Sequence, residues 1–365
     1  MPTCARHFLQ TSKNMQRASS KRGAAGACLA LAAFLAASFV PSCAAWAQTS
    51  DYVAPEAREV EPQRPVAAIV PQERIATSID LGRIMLPGGS GGIIGALITS
   101  GTDRTPEALA QNAAAKANAF AAPLAQVLSD FDASILAQEA TASALAGTPW
   151  FGSGEPVLLT GTTIGDTVVE GNDERGDSTV SMTFATGFIG SEANDTQGAL
   201  NFRRTVRELR DEFAASNPDA RELASVLWRY ETSPDFTHVR VIADVELRRS
   251  GASTPHYAQQ LISIVKLRRP TFVEEDNVAI WAKDEGALAR EALTLAFVRA
   301  GEVLPAILAL DKAGWDQATD RSRESATAAG YHGPVLLRDE KGPVFFAKDG
   351  DQRLAAFVTV QTIRN

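Results

Sequence analysis

His238-Val239-Arg240-Val241-Ile242-Ala243-Asp244-Val245-Glu246-Leu247-Arg248 is the stretch on which the fold turns. Val239, Val241, Ala243, Val245 and Leu247 alternate with His238, Arg240, Ile242, Asp244, Glu246 and Arg248. Successive side chains of a strand point to opposite faces, so this period of two predicts a strand with one buried apolar face and one wet face. Just upstream, Ser233-Pro234-Asp235-Phe236 has the composition of a turn with Pro at its second position. Residues 223–231 are therefore expected to pair antiparallel with the alternating strand. Beyond Ser250-Gly251-Ala252-Ser253, residues 257–267 supply a third strand. The segment 222–268 reads as a three-strand antiparallel meander with one solvated face.

Helical patterns flank this meander. Over 199–215, Phe202, Val206, Leu209 and Phe213 recur at i, i+4, i+7 and i+11 and form one apolar stripe. Arg204/Glu208 and Arg207/Asp211 are i, i+4 pairs on the other side. The four arginines at 203, 204, 207 and 210 are interleaved with Glu208, Asp211 and Glu212, so they read as a solvated face. Asn217-Pro218 stops the helix. From 283 to 311 the period of 3.6 returns, with Leu288, Ala292, Leu295, Ala296, Val303, Leu304, Ile307 and Leu308 as core candidates. Gly301 and Pro305 are expected to kink or split that helix. Both helices are expected on one face of the sheet.

Earlier in the chain, Thr105-Pro106-Glu107 opens an Ala-rich helical region that runs to about residue 146. Pro123 and the Asp130-Phe131-Asp132 step are expected to divide it. Residues 155–190 carry two β-type stretches around 171–177 (GNDERGD), a solvated turn that lacks the full pattern of a Ca²⁺ loop. Short strands at 334–337, 344–347 and 353–360 close the chain, with Lys348-Asp349-Gly350-Asp351 as a hairpin turn. These elements give an α+β class: an Ala-rich N-terminal helical region, then antiparallel sheet packed against helices.

The first 47 residues address location rather than fold. Arg17, Lys21 and Arg22 precede an apolar run over 27–40, Pro41 breaks it, and Ala45-Trp46-Ala47 has the small-x-small form that a signal peptidase reads. The run holds 14 residues, short of the ~20 that span a bilayer. A secretory signal peptide over 1–47 is the expectation, with the mature chain starting near Gln48. Cys43 follows Val40-Pro41-Ser42 and is the candidate for lipidation in place of cleavage after Ala47. Residues 48–83, with Pro55, Pro62, Pro65 and Pro71, read as a loose Pro-rich arm. Residues 84–101 (IMLPGGSGGIIGALITSG) form a Gly-rich apolar segment that is too short and too broken for a transmembrane helix. The expected divisions are thus 1–47, 48–83, 84–150 and 151–365.

Composition narrows the chemistry. Cys4, Cys28 and Cys43 all fall before residue 48, so the expected mature chain has no disulfide, thiol nucleophile or Cys-ligated zinc. The whole chain has 35 Lys+Arg and 43 Asp+Glu, a net charge of −8. Five basic and no acidic residues precede residue 48, which leaves the mature chain at −13. Such a surface repels nucleic acid, and none is expected as a partner.

Catalytic candidates are few. Gly88-Gly89-Ser90-Gly91-Gly92 matches G-x-S-x-G, the nucleophile elbow, but the strands that must precede an elbow are absent. Ser90 is nonetheless the serine to test. His238 and His256 start neighbouring strands and are the candidate metal ligands, with Asp244 or Glu246 beside them; no local ligand motif such as H-x-x-x-H joins them. The Gly-rich segment lacks the G-K-[ST] of a phosphate loop, and no cofactor is expected. Trp228 shares the phase of Val226 and Tyr230 and reads as core. Trp150-Phe151 reads as packing at a loop end. The resulting expectation is an exported bacterial envelope protein, periplasmic or associated with the outer membrane, working through protein or membrane contacts and not through catalysis. Alternatives are a periplasmic hydrolase using Ser90 and a module binding a small apolar ligand between sheet and helices.

Overall fold

The computed structural model describes residues 49–58, 64–81, 106–152, 154–161, 196–348 and 355–365. The expected signal peptide with Cys43, the Gly-rich segment with Ser90 and the acidic loop at 171–177 lie outside the described residues, as do all three cysteines. The described chain is α+β, built on a ten-stranded mixed sheet.

The centre of the sheet is β4 (Glu222–Thr232), β5 (His238–Arg249) and β6 (Tyr257–Leu267), paired antiparallel. Two distant segments extend it. On one side β1 (Val66–Val70) runs parallel to β4, with β3 (Val157–Thr160) beyond it and β2 (Ala76–Thr77) parallel to the end of β4. On the other side β10 (Ala355–Ile363) runs parallel to β6, followed by β9 (Gly342–Lys348), β8 (Tyr331–Asp339) and β7 (Ser325–Ala328) as antiparallel hairpins.

The arm expected over 48–83 is therefore partly structural. Val66–Val70 is wholly buried, as an unbroken apolar run flanked by strands on both sides should be. Ser50 bridges to Tyr257, with its N–H donating to the His256 carbonyl at 2.9 Å, so the chain before the four-residue turn α1 (Pro55–Arg58) is pinned to the start of β6.

One face of the sheet carries Ala68, Val226, Trp228, Val241, Ala243, Leu261 and Phe357. It is covered by α2 (Pro106–Val127), α3 (Ala133–Gly147) and α5 (Glu274–Leu308) in a single core. The helices before residue 150 and the strands after it thus share that core. Asp132 caps α3, accepting from the Ser134 and Ile135 N–H groups at 2.9 and 3.3 Å. Pro123 lies inside α2 and does not divide it.

Nor do Gly301 and Pro305 split α5. The break falls at Lys283–Gly286, where Asp284, Glu285 and Gly286 all have positive φ. Gly301 is instead the crossing point of two helices: a Cβ there would lie 3.0 Å from the Ala140 backbone of α3. The absent side chain permits close approach, and the helical backbone bears its conformational cost.

The second face is the main departure from the sequence expectation. It is not wet. Helix α4 (Gln197–Ala215) lies here, opposite α5, and packs Phe202, Val206, Leu209 and Phe213 on Ala67, Ile69 and Leu227. Farther along the same face, Ile242, Ile262, Ile264, Val358 and Phe345 form another apolar patch. Between the two patches sit Arg229, Glu231, Arg240, Asp244, Glu246 and Gln260, none more than 3% exposed. They neutralise one another. Arg229 donates to Asp244 at 2.7 Å, and Gln260 donates to the other oxygen of that carboxylate at 2.5 Å. Arg240 pairs with Glu231 and donates to the Tyr331 hydroxyl at 3.1 Å. Glu246 is shared by Arg210 of α4 and by Arg248, the latter at 2.9 Å. The Phe202 ring closes over Arg229, its centroid 5.9 Å from the guanidinium carbon. The alternating charges are an interior ionic layer, which survives burial because each charge meets an opposite charge at contact distance.

Candidate functional site

A concavity lies where helix α6 (Lys312–Ala318) crosses the end of the β8–β9–β10 hairpins. The geometry starts with Asp311, which caps α6 by accepting from the Gly314 N–H at 2.7 Å. This orients Trp315 onto the sheet, edge-on to Phe346 and Phe357 with ring centroids 5.0 and 5.9 Å away. Gly333 of β8 lets that hairpin close tightly, since a Cβ there would lie 1.7 Å from the Phe346 carbonyl oxygen. The result is a cleft of about 610 Å³ walled by Trp315 and Phe346, with Arg321, Lys348, His332 and Asp51 around it.

Its electrostatics are lopsided. Among the described residues, no carboxylate forms an ion pair with Arg321 or Lys348. His332 shares a 2.7 Å hydrogen bond between Nδ1 and the Thr327 hydroxyl, which leaves Nε2 available. Asp51 arrives from the pinned N-terminal segment. Burial pushes its carboxyl up from the ordinary carboxylate range, and Lys348 pulls it part of the way back. The Trp315 indole N–H has no acceptor among the described residues, whereas Trp228 donates to the Thr141 hydroxyl at 2.9 Å and Trp281 to the Phe236 carbonyl at 2.8 Å. A concavity of this volume, with an aromatic wall facing a polar rim, is of the size of a small-ligand site.

A second cleft, of about 550 Å³, opens between α2 and the chain around β2, with Glu73, Arg74, Asp80 and Asn118 over a floor of alanines. Asp80 is pushed up by burial against a hydrogen bond from Asn118 and the charge of Arg74. It has no aromatic wall.

The sites expected from sequence fare differently. His238 and His256 do not face each other. His238 lies opposite Lys266 and His256 just beyond the Leu247–Tyr257 pair, at the other end of the same ladder. Ten residues of strand separate those positions, about 30 Å. His238 Nδ1 is 3.1 Å from the Thr237 hydroxyl, and burial and Arg240 push its conjugate acid down to about 4. His256 Nε2 is 3.5 Å from Glu222, which also accepts from Arg64 at 2.7 Å. Asp244 and Glu246, the expected helpers, belong to the ionic layer. Among the described residues no cluster of three or more His, Cys, Asp or Glu side chains is arranged to hold a metal. Phe151 is buried, and Trp150 lies edge-on to it under Arg58, 5.0 Å from the ring centroid to the guanidinium carbon.

The residues that sequence reasoning missed are Trp315, Arg321, Lys348 and His332. They come from a short helix, a loop and two strands, so no local spacing announces them. Comparison with family models, with curated proteins and with solved structures finds no match. Among the described residues no helix is long and apolar enough to cross a membrane.

Proposed function

We propose that this chain is an exported bacterial envelope protein that acts through non-covalent contacts and not through catalysis. The observation that carries this reading is how its charged side chains are used. Asp244, Glu246, Glu231, Glu222 and Asp339 each pair with arginine, and these pairs tie elements of the fold together. A general acid or base needs a carboxyl or imidazole poised beside a reacting atom; these five carboxylates are held by arginines instead. The leader-like sequence over 1–47 supports export, and Cys43 offers an acyl anchor to the outer membrane. In this reading the Ala-rich helical layer and the 222–268 meander form a rigid scaffold that presents the exposed edges of the fold.

Screening the purified full chain on ester, peptide and glycan substrates is the test, with masses of the processed protein taken from soluble and membrane fractions. No turnover above a heat-denatured control, together with a start at Gln48 or an acylated Cys43, supports the reading. Turnover that disappears in Ser90→Ala would replace it with a serine hydrolase.

The cleft beside Trp315 favours a second reading, a small-ligand-binding module. Its apolar wall lies between sheet and helix, and its volume is of the order of known ligand pockets.

A further inference from the structure

We infer that the cleft between α6 and the β8–β9–β10 hairpins binds a small organic anion, an apolar body ending in a carboxylate or phosphate, which it holds with Trp315 and Phe346 on the body and Arg321 and Lys348 on the charge. This rests on the small-ligand reading and names its chemistry.

Three observations converge. First, Arg321 and Lys348 border one concavity and have no ion-paired carboxylate among the described residues. Two cations against the one carboxylate of Asp51 in the described lining leave a positive balance at the cleft, and apolar walls around them strengthen it. Second, Trp315 and Phe346 supply a stiff aromatic surface already fixed by edge-to-face packing, so little side-chain freedom is lost when an apolar body settles on it. Third, the Trp315 indole N–H and His332 Nε2 are further polar groups at the same rim without a hydrogen-bond partner among the described residues.

Asp51 is the acid that stands against the proposal, and it makes the proposal testable. If the ligand is an anion, Asp51 repels it and competes for Lys348. If the ligand instead carries an ammonium group, Asp51 is its partner. The same substitution has opposite effects in the two cases.

The experiment uses the full chain and three probes that share one body: 3-phenylpropionate, 3-phenylpropanol and 3-phenylpropylamine, each titrated to about 10 mM by calorimetry and by ligand-observed NMR. The expected order is the carboxylate tighter than the alcohol and the amine by about tenfold or more, the factor a charge-assisted hydrogen bond supplies. Arg321→Gln and Lys348→Gln each weaken the carboxylate several-fold and leave the alcohol unchanged. Both side chains are exposed, so these variants keep the fold. Asp51→Asn tightens the carboxylate. Equal binding of all three probes, or weaker binding of the carboxylate in Asp51→Asn, overturns the anion assignment while leaving a ligand-binding cleft. Binding of none of the three overturns the small-ligand reading itself, and the anion assignment with it.

Discussion

Arg229→Met removes the positive half of a fully enclosed pair in the ionic layer. Asp244 would keep Gln260 as a donor but lose the guanidinium at 2.7 Å, in a pair whose side chains are 4% and 3% exposed. Breaking a buried pair from one side costs about 3–5 kcal/mol, because the remaining charge has neither a counter-ion nor water. Replacing the whole unit by apolar side chains of similar volume, as in R229M/D244L/Q260L, leaves no charge to solvate and should return stability to within about 1 kcal/mol of the parent. The single variant should therefore be much less stable than the triple one, the reverse of what counting substitutions suggests. Equilibrium urea unfolding at neutral pH, followed by tryptophan fluorescence, reads this directly, since Trp228 lies on the opposite face of the same strand as Arg229. A cost for R229M below about 1 kcal/mol, the value of a solvated surface pair, would show that water reaches this face and would refute the two-faced burial.

Three further outcomes follow from the same packing. Folded His238 is held near 4 by burial and Arg240, with Lys266 adding to the effect and Asp235 and Glu231 opposing it, against an ordinary value of 6.5. The unfolded chain then takes up this proton first. Stability is complete above pH 6.5 and falls between 6.5 and about 4, by up to about 3 kcal/mol. His238→Gln should flatten that part of the stability profile relative to the parent, and superimposable profiles would mean that the imidazole titrates in water. Gly301→Leu drives a side chain into the Ala140 backbone and should cost about 1–3 kcal/mol in urea unfolding. Trp281→Phe leaves the Phe236 carbonyl without its 2.8 Å donor, where Phe236 holds a φ of 52°; a loss of about 1–3 kcal/mol is expected, with faster amide exchange in the β4–β5 turn.

The strands around the middle of the chain were readable because Val239 to Leu247 alternate over a long run, and the helix at 197–215 because Phe202, Val206, Leu209 and Phe213 keep one phase. The state of the opposite face was not readable. Arg240, Asp244 and Glu246 look identical in sequence whether water or an opposite charge lies beside them. Their partners come from β4, β6 and α4, and Arg210 is 36 residues from Glu246. Val66 to Val70 carried a usable signal, an unbroken apolar run of strand length, which its flanking prolines disguised as a linker. Gly301 was read as a flaw in a helix when its lack of a side chain admits α3. The cleft was invisible because proximity there is created by the β8–β9 hairpin and α6 together, and no sequence period reports such convergence.

The parallel pairing of β1 with β4 has a consequence for how the molecule is made. Chains emerge from ribosomes and translocation channels N-terminus first. The Val66–Val70 segment is then among the first strands to appear, yet Arg64 meets Glu222 only 158 residues later. Before β4 appears, the one described partner of these five apolar residues is the four-residue β3, and closing so long a loop is slow. An unpaired, uncharged strand is the form most prone to pairing with other chains. A pause in synthesis before residue 222 would therefore be expected to favour aggregates over native molecules.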